Sequence, residues 1–513
     1  MGFVQIAVAA AVLLMLWDCI EIGRNDAANL LNAVFGARVL RRRTAVVLAG
    51  AAVVLGATFS TAVVETARRG IFEPTHLTLS AAMTVYLTAY IIDTVLLYSY
   101  SAFGMPVSTT VTLVFALMGA ALGVAGDLSI IHWSKIGEVM ATIVISIFLT
   151  GLAAFFFQRI FRAALRNRTE DPMEVYLHGP WIAGLLLTWL SWFMLTKGFK
   201  GWAAASALCS VTIDAYGVVL PLLALWGLLT LMVHVVLTVT RERGVYWLFR
   251  VTTVLGMLCM SFAFGQNDLA NAASPGLSVL MLWQNAARGV EAATAIPLPP
   301  WALLGCGLLM ALGMATPSAQ RVTRAAVNTG SQFDRIALYA PRWCRAIARY
   351  FIGRPEGASP LAPPPSFDAR GKRVHFDPLR ASVIMSISAG VIAFASSRGM
   401  PVSTTYVAFA AIISTGMADR VMSYGDADLK IGRAIWVVFS WFAGAGLAMA
   451  AAALTAFVIV RLGTIGLLAM IAGNLTLRAW VARRADRHER IYHEELSRRL
   501  REGGANPAAY PMD

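Results

Sequence analysis

Charge is what this chain has least of. Only 14% of its 513 residues are Asp, Glu, Lys or Arg, against about 25% in an ordinary soluble domain. With 58% hydrophobic residues and a mean hydropathy of +0.67, that scarcity excludes a soluble globular protein. Short alternating apolar segments are missing too, which argues against a membrane β-barrel. The apolar runs are continuous and about 16 to 25 residues long, the length of membrane helices. Helices satisfy their backbone locally, as lipid demands.

Other absences narrow the function. The five cysteines (Cys19, Cys209, Cys259, Cys306 and Cys344) show no CxxC spacing, so no disulfide or metal framework is implied. No Gly-rich loop ends in GK[ST], which argues against ATP-driven transport by this chain. No Ser/His/Asp signature stands out, and no enzyme is expected. His488 and His493 sit in RHERIYHEE, which is not HExxH and reads as a solvated charged helix. The N-terminal MGFVQIAVAA has no basic n-region, so it reads as a retained span. Acidic residues are fewer than basic ones, 28 against 42, for a net charge of +14. In a membrane protein this excess sets topology and meets anionic lipid, and it implies no nucleic acid.

What is present is a series of about twelve candidate spans. They run Gly2–Ile20, Thr44–Val64, Ser80–Tyr100, Thr110–Ala125, Val139–Phe157, Trp181–Thr196, Gly217–Thr240, Trp247–Phe264, Trp301–Thr316, Ala381–Ser397, Tyr406–Met417 and Ala434–Val460. The tenth to twelfth follow a hydrophilic stretch, about residues 319–380, that carries Arg342, Arg345, Arg349, Arg354, Arg370, Lys372, Arg373 and the run APPPS. It reads as a basic, partly disordered loop. Placing Arg41, Arg42 and Arg43 in the cytoplasm puts the other basic loops there as well. The basic tail from Arg478 then falls outside, a conflict removed if Gly463–Leu475 also crosses or if a hairpin is miscounted.

The strongest organisational signal is repetition. GRNDAAN begins at Gly23 and GQNDLAN at Gly265, while GMPVSTT begins at both Gly104 and Gly399. Each unit reads span, ND motif, span, loop, span, PVSTT, span. The second unit starts an odd number of spans after the first, which turns it over in the bilayer as an inverted repeat. The expected organisation is residues 1–130 as a first repeat, 131–246 as connecting helices and 247–420 as a second repeat. Residues 421–477 form a C-terminal membrane region and 478–513 a charged tail. The fold class is an all-α polytopic membrane protein with broken or half helices at the midplane.

Gly, Asn and Pro disfavour helix interiors, so both motifs read as interruptions. In PVSTT the Pro suits a first turn and the hydroxyls suit an N-cap. Ser108, Thr109, Thr110, Ser403, Thr404 and Thr405, beside free N–H groups, make a cradle for a tetrahedral oxyanion. Asp26 with Asn25 and Asn29, and Asp268 with Asn267 and Asn271, offer hard oxygens for Na+ or a proton. The plain alternative is interhelical hydrogen-bonding glue. Two ND motifs and two PVSTT motifs in register favour function, as intramembrane carboxylates do in general.

With these four motifs the chain resembles the inorganic phosphate transporter (PiT) family, and KGFKG (Lys197–Gly201) is similar to another family segment. The resemblance implies a Na+- or H+-coupled phosphate symporter without a cofactor. It assigns Asp26, Asn29, Asp268 and Asn271 to ion and substrate binding and the Ser and Thr residues of PVSTT to the anion. Some members of the family carry sulfate. Phosphate or sulfate and membrane lipids are the implied partners, a homodimer stays open, and the plasma (cell inner) membrane is the expected location.

Departures from the family pattern matter. The His expected after PVSTT is replaced by Val111 and Tyr406. Arg24 and Gln266 stand where a small or apolar residue is usual. Glu21 lies three residues before Arg24, suggesting a local ion pair. The sharper alternative makes Arg24 a fixed positive charge that replaces one coupling cation or changes the anion preference. Asp18 and Asp93 are further carboxylates within apolar runs. An anion channel and a lipid-headgroup enzyme are the competing classes. The first would need no coupling cation, and the second lacks a nucleophile–base pair.

Overall fold

A computed structural model describes residues 2–60, 72, 77–127, 129–195, 203–288, 300–333, 338–353, 366–368, 372–396, 402–423 and 426–502. The described residues form α1 (Phe3–Gly36), α2 (Arg42–Thr58), α3 (Leu79–Ala102), α4 (Thr109–Ala125), α5 (Trp133–Ala164), α6 (Pro172–Phe193), α7 (Ala203–Tyr216) and α8 (Val219–Thr240). Then come α9 (Glu242–Arg288), α10 (Pro300–Met314), α11 (Pro317–Thr329), α12 (Arg342–Ile352), the two-residue strands β1 (Ser366–Phe367) and β2 (Arg373–Val374), α13 (Pro378–Ser396), α14 (Thr404–Ala418) and α15 (Ala427–Glu502). Side-chain caps start several helices where the sequence places Ser, Thr or Asp: Thr78, Ser108, Asp171 and Ser403 each accept a first-turn N–H.

Seven described helices are long and apolar enough to cross a membrane, or eight when α10 and α11 count as one bent span. The expected twelve are not reached by that measure. Helices α2, α4 and α14, with 17, 17 and 15 residues, are short for a crossing. The chain is a multi-pass membrane protein all the same. Helices α3 and α13 are buried over 83% and 89% of their apolar windows, and α8 over 11%. An apolar helix that exposed faces lipid, whereas α3 and α13 form the protein's interior.

The GxND motifs do not interrupt their helices. Helix α1 runs through GRNDAAN and α9 through GQNDLAN. Their glycines serve close packing instead. A Cβ at Gly23 would stand 1.9 Å from the Met310 carbonyl oxygen in α10, and one at Gly265 would stand 2.2 Å from that of Val53 in α2. So α1 crosses α10 while α9 crosses α2, and each unit's ND helix packs on the other unit's second helix.

The hydrophilic stretch after Thr316 is not a loop throughout, because two helices form within it. Its first part is α11, bent 67° from α10 at a break before Pro317. Arginines line one side of α11, but Ala319, Val322 and Ala326 are buried. Farther on, Arg345 and Arg349 of α12 both reach Asp428 at the start of α15, at 2.8 and 3.1 Å. The proline run before Ser366, KGFKG and the Gly399–Pro401 part of the second GMPVSTT lie outside the described residues.

The tail conflict is removed by a reversal at Gly463, whose φ of 58° and ψ of −131° break α15 into two limbs. Arg433 and Ala485 line one cavity with Gly104, Arg321 and His488. A straight helix would separate residues 433 and 485 by about 78 Å at 1.5 Å per residue, so the second limb runs back beside the first. Its Glu489 meets Arg321 at 2.6 Å and Arg324 at 3.5 Å, and Arg324 lies within electrostatic reach of Arg42. The tail therefore sits at the same end as Arg41–Arg43.

Candidate functional site

The starts of α4 and α14 meet head to head. Ser108 caps α4 by accepting from the Val111 N–H at 3.2 Å, and Ser403 caps α14 by accepting from the Tyr406 N–H at 3.2 Å. The Thr405 hydroxyl lies 3.0 Å from the Val107 carbonyl oxygen, and the Thr110 hydroxyl lies 3.2 Å from that of Val402. These are equivalent positions of the two GMPVSTT copies. The remaining first-turn N–H groups of both helices lack intrahelical acceptors, and both positive dipole ends point at one place.

The ND residues close around this junction with the same reciprocity. Asn25 donates to the Val107 carbonyl at 2.7 Å, and Asn267 to the Val402 carbonyl at 3.0 Å. Asn29 donates to the Thr405 hydroxyl at 3.0 Å, and Asn271 to the Thr110 hydroxyl at 2.9 Å. These bonds consume the polar groups that would otherwise break the helix, which is why α1 and α9 stay intact. Asp26 Oδ1 accepts from Asn25, Asn29 and Thr405 at 3.0, 2.7 and 2.9 Å. Asp268 Oδ1 accepts from Thr109 and Asn271 at 2.9 and 3.0 Å. The second oxygen of each carboxylate is buried without a close donor, and Asn267 and Thr404 also stand beside Asp268. Such an oxygen suits a small cation or a proton.

All twelve motif residues expected at the site are thus brought together, with one redistribution. The sequence reading gives the PVSTT hydroxyls to an anion. In this conformation Thr109 and Thr405 donate to carboxylates, because each Asp comes to lie beside the other unit's helix start. Thr404 is buried beside them.

The residues flanking the motifs go elsewhere. Arg24 Nη1 pairs with Glu21 at 2.6 Å and Nε donates to Thr316 at 3.2 Å, at the α10–α11 break. The local Glu21–Arg24 pair is present, and its guanidinium is neutralised there. Gln266 is buried in α9. Tyr406, directly after the second PVSTT, stacks on Trp441 with ring centroids 3.7 Å apart, and Trp441 donates to the Pro106 carbonyl at 3.0 Å. Sequence reasoning missed Trp441. It also missed Arg433, which donates to the Gly104 carbonyl at 2.8 Å, and Arg478, which pairs with the buried Glu21. An arginine within an apolar helix was the available signal for Arg478.

A many-helix membrane protein with two polar helix starts facing two buried carboxylates defines a solute transporter. The sequence profile of the phosphate transporter family matches residues 22–328, more than half of the chain. The chain belongs to that family, and it is a transport protein, not an enzyme. It is 26% identical over 424 residues to a candidate phosphate permease of Thermococcus kodakarensis, covering 82% of this chain and 90% of the relative. A candidate phosphate permease of Pyrococcus abyssi is 27% identical over 438 residues, covering 84% and 91%. A solved structure described as the sodium-dependent phosphate transporter superposes with a TM-score of 0.65 at 21% identity, covering 89% of this chain and 99% of that one. At that identity the likeness is one of fold.

Proposed function

We propose that the chain is a secondary active symporter of inorganic phosphate in the plasma (cell inner) membrane. The coupling cation is Na+ or H+, and two inverted repeats expose the site to alternate sides. One observation carries this reading: two capped helix starts converge on two carboxylates whose second oxygens are bare. The N–H ends attract the oxyanion, and the bare Asp26 and Asp268 oxygens attract the cation.

The hydrogen-bond geometry supports a coupling rule. Thr405 has one hydroxyl proton but lies within bonding distance of two acceptors, Asp26 Oδ1 at 2.9 Å and the Val107 carbonyl at 3.0 Å. A charged Asp26 holds that proton best. A cation on the carboxylate weakens its hold, and the hydroxyl becomes free to donate to phosphate. Thr109 donates to Asp268 Oδ1 at 2.9 Å, so a cation on that carboxylate frees a second hydroxyl, although Thr109 has no carbonyl in the place that Val107 takes for Thr405. Cation and anion then bind well only together. The bonds between PVSTT copies are those that must break and reform as the halves exchange conformations.

The test is uptake of labelled phosphate by proteoliposomes under imposed Na+ or pH gradients, with sulfate as competitor. Concentrative uptake driven by one gradient is expected, with near-complete loss in Asp26→Asn and Asp268→Asn. Wild-type uptake in either variant refutes the assigned roles. Flux without a cation gradient dependence favours a channel, and full displacement by sulfate favours a sulfate permease.

A further inference from the structure

Asp18 and Asp93 are buried carboxylates that the proposed site does not use. Asp18 lies on α1, two helical turns or about 12 Å before Asp26. Asp93 lies on α3, which packs against α1 and α4. Both are completely buried; neither oxygen of Asp18 has a hydrogen-bond partner, and beside Asp93 stands the Thr112 hydroxyl of α4, whose proton is also within reach of two backbone carbonyls. Asp18 is within electrostatic reach of Asp93 and Glu21, and Asp93 of Glu21.

The groups facing this pair are committed elsewhere. Arg478, the cation that reaches Asp18 from α15, pairs with Glu21 and donates to the Thr94 carbonyl at 3.1 Å. Arg24 is held by Glu21 and Thr316. Thr112, beside Asp93 on α4, is 3.0 Å from both the Ser108 and Thr109 carbonyls. Tyr90 donates to the Ala272 carbonyl at 2.6 Å, and Cys19 of α1 meets Cys306 of α10. The formal charges do not cancel. Three carboxylates, Asp18, Glu21 and Asp93, all completely buried, stand against two guanidiniums, Arg24 and Arg478, leaving one negative charge unbalanced. Such a charge is costly unless an ion offsets it.

We propose that Asp18 and Asp93 form a second cation site that takes one monovalent cation, Na+ or H+, and adds one cation to each transport cycle. A single positive charge neutralises the cluster, whereas a divalent ion overshoots. Through Thr112, Asp93 adjoins the first turn of α4, which also carries the anion cradle, so occupancy bears on that cradle. The coupling part rests on the symporter reading. The binding part does not.

The experiment uses the full chain. In proteoliposomes, opposing Na+ gradients and, separately, opposing pH gradients are raised until phosphate flux reverses, which gives the number of each cation moved per phosphate. Asp18→Asn and Asp93→Asn are expected to lower that number by one, for Na+ or for H+, whichever the site takes, and Asp18→Glu is expected to keep it. Wild-type coupling to both gradients in both Asn variants overturns the proposal. Thermal unfolding of the purified protein, in Na+ against choline and at pH 6 against pH 8, forms a second arm that needs no transport. There each Asn variant is expected to lose part of the wild-type stabilisation by Na+ or by low pH. Unchanged dependence on both in both variants overturns the proposal even if they are transport-dead. Absence of phosphate flux in the wild type counts against the symporter reading alone, since the unfolding arm still decides cation binding.

Discussion

Replacing Thr405 by Val keeps shape and volume close while deleting the one hydroxyl shared by Asp26, Asn29 and Val107. The lost contacts are a bond to a carboxylate at 2.9 Å and a bond accepted from Asn29 at 3.0 Å, both fully buried. A hydrogen bond to a charged group contributes about 1.5–3 kcal/mol. At about 1.4 kcal/mol per tenfold, this corresponds to roughly a 10- to 150-fold loss. Because the hydroxyl is proposed to serve both ions, the loss is expected in the cation dependence and in the phosphate KM together. Thr110→Val is the control. Its hydroxyl bonds a neutral carbonyl at 3.2 Å and the Asn271 amide at 2.9 Å, and neutral bonds contribute about 0.5–1.5 kcal/mol. The assay is initial-rate phosphate uptake in proteoliposomes across a matrix of cation and phosphate concentrations. If Thr405→Val leaves both dependences at wild type, the proton-sharing argument fails. A loss confined to phosphate would limit Thr405 to the anion.

Other expectations concern stability and are read by unfolding of the purified protein. Gly23→Ala pushes a methyl into the Met310 backbone and should cost about 1–3 kcal/mol or more. Gly137→Ala in α5 meets nothing within 4 Å and should be neutral, so equal midpoints for the two would contradict the packing role of the motif glycine. Glu21→Ala leaves the nearly buried Arg478 and the part-buried Arg24 without their shared carboxylate and should cost about 3–5 kcal/mol. Arg478→Ala leaves Glu21 its bonds to Arg24 and Trp17 and should cost less, about 1.5–3 kcal/mol. The double variant should lose less than the sum, and additivity would argue against the network. His375, in the loop before α13, is pushed down to about 3 by burial and then by Arg373, Arg38 and Lys430, from an ordinary 6.5. Between those values the unfolded chain takes up a proton that the folded one refuses, so stability falls as pH drops through that window. His375→Asn should make that fall shallower, and an unchanged pH profile would count against it.

The N-caps of PVSTT were legible in the residues, because a cap is a local device that needs only a hydroxyl and a free N–H. The ND motifs were misread as helix breaks. Propensity scores Gly and Asn by their behaviour in an isolated helix, and here the Asn side chains find acceptors on Val107 and Val402. Helix α11 was misread as loop for a related reason. Its arginines dominate the composition, but its Ala and Val residues recur at helical spacing and are buried against neighbours that no local window contains.

Scarce charge and long continuous apolar runs alone determined a helical membrane protein, since lipid leaves only helices and closed barrels to satisfy the polar backbone and the runs do not alternate as barrel strands do. The duplicated motifs likewise determined which residues matter, because polar groups in lipid persist only where something balances them. Tertiary structure alone decided their partners. Asp26 bonds Thr405 and Asp268 bonds Thr109 only because the two units cross, α1 on α10 and α9 on α2. The return of the tail turns on one residue, Gly463, whose positive φ reverses a 76-residue helical run. Pairings across hundreds of residues, and the direction of a chain after one bend, are properties of packing in space that no stretch of sequence carries.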